Sequence, residues 1–436
     1  MRSSGEEGTA PVVSVVVPAY NGARYLAGTL DSLLGQTLRE LEVLVVDDAS
    51  VDGTRELVRA RAAADPRLRL LAQSENGGTL AARKRGVLAT RGELVTLVDQ
   101  DDELVPEALE RLVAAARLLP GDVWHFGVRV DAATEAAAGA AAGMEGFLTP
   151  EPRALAGEDI LRAQFAETGG FDWHVHHKLY RGELARRAYS LAADERLLLS
   201  DDLYMSFVIC SLAHAYRALP NSAWYVYHLG RGETLGAGLT VDALATLAER
   251  DAKGLELVRR FAEGPAAPAR DDWPERVADV RDRLAEHVMN EWKDNLAEAD
   301  KPAGLEAVRA CWPADALCAE LWRYVRDYAY ELLQAPDRES ERARSAREAA
   351  ERYLAWAREL EGGRAILASD DARYHAMREV AMSHLRDTGL VAPERPESER
   401  SASERPAGGC DVPAPFGSVA LLVRRLVSRI RKPVSK

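Results

Sequence analysis

A chain of 436 residues is too long for one small domain, so two or three are expected, and a content of 47% hydrophobic with 29% charged residues is that of soluble globular protein. The net charge of −13 implies no broad basic surface and argues against a general nucleic-acid binder. Cys210, Cys311, Cys318 and Cys410 lack a disulfide or zinc spacing, which suits a reducing cytosol, and no apolar run approaches the ~20 residues that span a bilayer.

In chain order, residues 1–11 are polar, lack the apolar core of a signal peptide, and are expected to be a flexible N-terminus. Residues 12–17 are a β-branched run, broken by Pro18-Ala19-Tyr20-Asn21-Gly22. Residues 23–36 follow at helical spacing, with Leu26, Leu30, Leu33 and Leu34 on one face. A buried strand over 43–46 leads into Asp47-Asp48, and a helix is expected over 50–64 with Ser50 and Asp52 as candidate caps. Another short strand occupies 68–72, after which Asn76-Gly77-Gly78 turns the chain into a helix over 79–90, where Arg83, Lys84 and Arg85 cluster. A strand over 94–98 closes on Asp99-Gln100-Asp101-Asp102. This alternation predicts a doubly wound α/β half-domain with a parallel sheet. Asp is a common turn residue after a strand, which would suffice for either acidic cluster alone. Two clusters at the carboxyl ends of such strands lie where open α/β sheets bind ligands, and a hard divalent cation carrying phosphate oxygens would relieve their repulsion.

Further along, the Ala/Gly-rich stretch 132–143 is expected to be a surface loop. Asp201-Asp202 opens a helical stretch over 203–212, where an N-cap and a first-turn acid are the bland explanation. His228 ends the strand-like Tyr225-Val226-Tyr227-His228. From residue 241 the pattern becomes helical, over 241–263, 272–298, 304–333 and 339–360, with Trp292, Trp312, Trp322, Tyr324, Tyr328 and Trp356 as anchors for helix packing or a homodimer contact. Residues 393–418 are expected to be a disordered linker, rich in Pro, Glu, Ser and Arg up to Gly409. Residues 419–436 form a basic amphipathic tail, in which an apolar stripe opposite Arg424, Arg425, Arg429, Arg431 and Lys432 suggests docking of 419–432 to an anionic membrane leaflet; a helix packed back on the body is the alternative.

Taken in order, Pro18-Ala19-Tyr20-Asn21, Asp47-Asp48-Ala49-Ser50-Val51-Asp52-Gly53-Thr54, Asn76-Gly77-Gly78 with Ala82-Arg83, Asp99-Gln100-Asp101-Asp102, His177-Lys178-Leu179-Tyr180-Arg181 and Ser200-Asp201-Asp202-Leu203 resemble the serial motifs of family 2 glycosyltransferases. The resemblance covers roughly the first half of the chain. It implies an A-type nucleotide-sugar-binding domain over 12–240; the helical pattern beyond it reads as an α-helical domain over 241–392. It also implies an inverting transfer from a nucleoside diphosphate sugar, with a UDP-sugar first, to a hydroxyl acceptor.

Carried over by motif, Pro18, Ala19, Tyr20, Asn21, Asp47, Asn76, Arg83 and Asp99 would bind the nucleotide: carboxylate and backbone groups read a uracil-like edge, Arg83 donates to base or phosphate, and Asp99 accepts from the ribose. Asp101, with Asp99 and His228, would hold a divalent metal, Mn²⁺ or Mg²⁺, and Asp202 would be the general base. Asp201, Trp173 and His177 would line the acceptor side, with Trp173 a sugar-stacking platform. Lys84 stands where the family commonly has Asn, and Gln100 is an ordinary substitution for a small residue. The spacing of His174, His176 and His177 suits a strand better than a zinc-binding helix, and no Cys pair lies nearby.

The first acceptor class is a surface glycan growing on a lipid carrier, at the inner face of the cell membrane or in the cytoplasm; a peptide or secondary metabolite is the second. Two other classes remain as alternatives. A nucleotidyltransferase would need a Gly-rich loop with Arg and Lys near the N-terminus, which 18–22 does not supply. An inactive glycan-binding relative would not keep both Asp101 and Asp202.

Overall fold

The computed structural model describes residues 10–166, 170–197, 200–231, 239–362 and 364–392. The linker and basic tail expected beyond residue 392, and most of the expected N-terminal segment, lie outside these residues. The chain divides into two compact units: the first holds the described residues of Met1–Leu239 and Thr246–Leu284, the second those of Thr240–Ala245 and Ala285–Lys436. The first unit therefore takes in helical residues beyond position 240, where the sequence reading draws its domain boundary.

The first unit is an α/β sheet domain. Its opening half runs β1 (Val13–Ala19), α1 (Leu26–Leu34), β2 (Leu41–Asp47), α2 (Thr54–Ala64), β3 (Leu68–Ala72), α3 (Thr79–Leu88) and β4 (Leu94–Leu97). β1 pairs in parallel with β2 and β4, and β2 pairs in parallel with β3. β1 and β2 are buried at every position, which is why they read as continuous Val/Leu runs without alternation. In-register pairing puts Ala19 opposite Asp47, so the break after β1 and the first acidic pair share the carboxyl edge of the sheet.

The sheet then becomes mixed. β5 (Glu103–Leu104), α4 (Ala108–Leu118), β6 (Val123–Ala132), α5 (Glu135–Leu148), β7 (Ala154–Ala156), α6 (Glu158–Gln164), β8 (Lys178–Arg181), α7 (Gly182–Ser190), α8 (Asp201–Leu212) and β9 (Ala215–Leu229) complete it, in the order β3-β2-β1-β4-β8-β6-β9-β5 with β7 also on β9. β8 runs antiparallel to both β4 and β6, which brings the segment before it beside the second acidic cluster. The shared core holds Val15, Val43, Trp124, Phe126, Leu179 and Tyr225 among its buried members.

Three expectations change. Residues 132–143 belong mostly to helix α5 in place of a loop: Thr134 caps it by accepting from Ala137 N at 3.2 Å, and Ala is the strongest helix former, so low complexity did not mean irregular structure. Helix α2 starts at Thr54, later than Ser50, whose hydroxyl accepts from Asn21 N of the β1–α1 loop, while Asp52 accepts from Thr54 N at 3.0 Å through Oδ1 and from Ala23 N through Oδ2. The long helix expected over 304–333 is two helices, interrupted before Pro313.

The helical elements that follow are α9 (Val241–Ala262), α10 (Trp273–Asp294), α11 (Lys301–Arg309), α12 (Ala314–Gln334), α13 (Glu341–Glu361), α14 (Arg364–Leu367) and α15 (Ala372–Thr388). Pro313 is the N-cap of α12, where its missing N–H costs nothing. The second unit packs on its aromatics: Trp292 meets Trp356 edge to face at 5.7 Å, and Tyr328 stacks on Tyr353 at 5.6 Å. The Glu361 carboxylate accepts from Trp322 Nε1 and Tyr374 Oη, each at 2.7 Å, tying α12, α13 and α15 together.

Helix α3 lies against β1 and β2 through Gly86, whose position leaves no room for a Cβ: it would press into Val16 Cγ1 and lie 2.9 Å from Val46 Cγ2. Gly86→Ala should therefore lower stability by about 1–3 kcal/mol, the usual cost of overpacking. A urea midpoint unchanged from wild type would show that α3 can move away from the sheet freely.

Candidate active site

At the carboxyl edge of β2 both acids are occupied. Asp47 is fully buried and accepts from Arg55 Nε at 2.7 Å and from Ser50 N at 3.3 Å. Asp48 accepts from the backbone N–H groups of Gly77 and Gly78, each at 2.8 Å, and so fixes the turn into α3. Asn76 donates to Asp48 O at 3.4 Å and accepts from Arg196 at 3.1 Å.

The loop after β1 is held just as closely. Four consecutive amides are capped by side chains: Tyr20 N by Gln100 Oε1, Asn21 N by Ser50 Oγ, Gly22 N by Thr54 Oγ1 and Ala23 N by Asp52 Oδ2, at 2.9–3.0 Å. Ala19 O accepts from Asp48 N at 2.8 Å. Tyr20, 47% exposed, is the aromatic side chain left open on this loop, beside the exposed Asn21 and Arg24.

Behind the second acidic cluster lies Arg83, buried on α3. Its Nη2 donates to Asp99 Oδ1 at 2.9 Å, and its Nη1 donates to Asp201 Oδ2 at 2.8 Å and Asp202 Oδ1 at 2.9 Å. One guanidinium thus joins three carboxylates from two distant parts of the chain. The Arg83 Nε and the buried Tyr189 hydroxyl have no hydrogen-bond partner among the described residues. Burial pushes the Asp201 carboxyl up to about 7 against the pull of Arg83, with the charges of Asp202 and Asp99 adding to the rise. Asp202 lies at the edge of the group, its side chain 18% exposed, and its Oδ1 also accepts from Val175 N at 3.0 Å.

Asp101 and Asp102 differ in their surroundings. Burial, followed by the Asp99 charge, raises the Asp101 carboxyl to about 6, opposed by Arg231. Asp102 lies deeper and is pushed well above the usual carboxylate range by burial and by Asp99 and Asp101; it accepts from Tyr225 Oη at 2.7 Å and His228 N at 2.9 Å. The Tyr225 hydroxyl in turn accepts from Asp99 N at 3.2 Å.

The expected metal and acceptor sets are only partly assembled. Among the described residues Asp99, Asp101 and His228 do not converge as a three-ligand group, and the His228 ring faces Glu103 Oε1 at 3.2 Å. His177 is fully buried and cannot wall a cleft; it lies 3.3 Å from Asp172 Oδ2, beneath the loop that carries Trp173 and His174. Lys84 anchors the loop after α7, donating to Ala192 O at 2.7 Å.

His125, Asp172 and His177 do converge, with ligating atoms within 4.8 Å of one another. The Lys178 ammonium, however, lies 3.1 and 3.3 Å from the two Asp172 oxygens, so this carboxylate already has its cation and a divalent ion there would meet like charge. Burial holds the His125 imidazole down at about 4 and His177 well below its ordinary range, so both are neutral neighbours of the pair. The sequence reading missed Asp172, Lys178, Arg55 and Tyr225 as organisers. Buried charge opposite buried charge, as in Asp172 and Lys178, leaves no local periodicity by which to find it.

Residues 14–135 match the model of the family described as glycosyl transferase family 2. The curated relatives include the uncharacterized glycosyltransferase EpsJ of Bacillus subtilis, 31% identical over 196 residues, 44% of this chain and 54% of that one. They also include the succinoglycan biosynthesis protein ExoO of Rhizobium meliloti, 42% identical over 106 residues, 24% of this chain and 30% of that one. The chain thus spans about half the length of the first relative and less of the second. Among solved structures, S. aureus TarS crystallised with UDP-GlcNAc is similar at a TM-score of 0.51 and 19% identity, over 85% of this chain and 91% of that one. Residues 14–135 of the first unit are thus similar to glycosyl transferase family 2, and the chain shares its overall fold with TarS, an α/β domain followed by a helical region.

Removing the shared cation tests the cluster directly. Arg83→Met should cost about 3–5 kcal/mol of stability, because it strands buried carboxylates. Adding Asp201→Asn should recover part of that loss. In the wild-type chain Asp201 binds its proton more tightly folded than unfolded, so its contribution to stability falls as pH rises from 3.8 to about 7. Asp201→Asn should flatten that fall in a series of urea melts; an unchanged slope would mean that Asp201 is not the group that titrates.

Proposed function

We propose that this chain, similar over residues 14–135 to glycosyl transferase family 2, moves a monosaccharide from a nucleoside diphosphate, with UDP as the nucleotide, to a hydroxyl acceptor with inversion. The observation that carries this reading is the shared guanidinium of Arg83. It places Asp99, from the acidic motif that follows β4, and Asp202, at the start of α8, one hydrogen bond each from the same side chain. A donor-side acid and a candidate base therefore lie on one centre. The UDP-GlcNAc complex of TarS, a protein of similar fold, supports a UDP-sugar as donor.

Asp202 is the base in this scheme. Arg83 and Val175 N engage its Oδ1, while Oδ2 has no hydrogen bond among the described residues and is the oxygen available to take the acceptor's proton. Asp201, buried beside it, shares Arg83 and holds that guanidinium in place. Trp173 and the half-exposed His174 stand on the loop that ends at Val175, on the acceptor side.

The acids fit a divalent cation. Asp101 is raised to about 6 by burial and the Asp99 charge, a repulsion that a cation between the two would relieve. Asp99 and Asp101 would hold Mn²⁺ or Mg²⁺, which when bound neutralises the charge that develops on the departing diphosphate. The base would meet the exposed Tyr20 ring, since the Tyr20 and Ala19 backbone groups are already bonded. The acceptor favoured is a growing surface glycan, in keeping with the succinoglycan biosynthesis role named for ExoO. No described helix is long and apolar enough to cross a membrane, and contact with an anionic membrane through 419–432 belongs to the same proposal.

UDP titrated into the chain in Mn²⁺ should bind, and chelation with EDTA or Asp101→Asn should weaken binding at least tenfold, about 1.4 kcal/mol. Undiminished turnover of a UDP-sugar in EDTA would remove the metal. Asp202→Asn should lower transfer about 10²–10⁴-fold while the chain still binds UDP. If that variant keeps full activity, the base lies elsewhere.

A further inference from the structure

Gln100 stands between Asp99 and Asp101 in the chain, and its side chain bonds to the loop after β1. Its carboxamide makes a two-way pair with one residue: Tyr20 N donates to Gln100 Oε1 at 2.9 Å, and Gln100 Nε2 donates to Tyr20 O at 3.1 Å. Its own carbonyl accepts from Thr29 Oγ1 of α1 at 2.8 Å. The other three amide caps on the β1–α1 loop come from Ser50 and Asp52 in the loop after β2 and from Thr54 at the start of α2. Gln100 carries the hydrogen bonds that tie this loop to the acidic motif.

The fit is tight from the opposite side as well. A Cβ at Gly22 would collide with Gln100 Oε1 and lie 2.6 Å from its Cδ, yet Gly22 itself has no left-handed backbone that would demand glycine. Glycine at 22 is therefore the space that Gln100 crosses. A smaller residue at 100 would leave Tyr20 N–H and C=O to water and free the two loops to move separately.

We propose that Gln100 is a positioning residue of the donor site, a latch that couples the seat of the nucleotide base at Tyr20 to the acids at 99 and 101. This rests on the reading of the site as a nucleotide-sugar site. Gln100 touches neither reacting atom. It acts by presetting the Tyr20 loop and the acidic loop as one piece, so that binding does not have to order them.

The test is a cycle of Gln100→Ala, Gly22→Ala and the double variant, read by hydrogen exchange at the Tyr20 amide and by UDP titration in Mn²⁺. Gln100→Ala should speed Tyr20 exchange and weaken UDP binding, each about tenfold, the scale of two hydrogen bonds lost at a partly exposed site. The melting temperature should change little. Gly22→Ala should do the same in the wild-type background by pushing Gln100 off its partner, but add almost nothing on top of Gln100→Ala. Gln100→Asn, one methylene short of Tyr20, should behave like Gln100→Ala. Fully additive effects, or a Tyr20 amide equally protected in Gln100→Ala, overturn the latch. If the wild-type chain binds no UDP at all, the donor reading fails, and the exchange cycle still decides whether Gln100 couples the two loops.

Discussion

Three carboxylates around one buried guanidinium is the constraint on which the rest of the site depends. Asp99 comes from the loop after β4 and Asp201 and Asp202 from the start of α8, more than a hundred residues later, and Arg83 donates to all three. Only the planar, permanently charged fork of arginine can serve two directions with two nitrogens in this way; lysine would offer a point charge and lose one of them. One guanidinium faces three carboxylates, and burial, with the charges of Asp202 and Asp99 adding to it, raises Asp201 to about 7 against the pull of Arg83. A site of this kind attracts cations and holds its acids in fixed directions even before any substrate enters.

The second layer of the site works by the same logic of fixed directions. The buried Asp172–Lys178 pair, flanked by neutral His125 and His177, anchors the segment that presents Val175 N to Asp202. His176 stacks on Tyr225 at 4.9 Å, and Tyr225 links Asp99 and Asp102 through its hydroxyl. The segment 172–178 and the acids at 99 and 102 are therefore braced against each other through the middle of the sheet domain. His177 contributes from below, which a sequence reading that places it on a cleft wall cannot anticipate.

The α/β order and the two acidic edges were legible because each depends on local pattern: buried runs of Val and Leu read as strands, and the acids directly after them mark the carboxyl edge of the sheet. Helix α5 was not, because Ala and Gly in low-complexity order suggest a loop by composition while Ala favours helix by propensity. Helix α15 was passed over although Asp371 caps it and Gly389 ends it in a left-handed turn, since its apolar stripe is weak. The partners of Arg83 were beyond the sequence. Asp99, Asp201 and Asp202 were each singled out, but nothing along the chain says that one side chain of α3 reaches all of them. Gln100 was missed for the same reason, as its partner lies 80 residues away.

The stereochemistry of the first-formed product tests the account most directly. The chain is given a UDP-α-sugar that it consumes in Mn²⁺, and the released sugar is followed by proton NMR before its anomers equilibrate. A base at Asp202 on the face opposite the leaving group predicts that the β-anomer appears first, and that its rate of appearance falls in Asp202→Asn. Release of the α-anomer first would mean retention, and would contradict the assignment of Asp202 and the arrangement of acids around Arg83 as an inverting site.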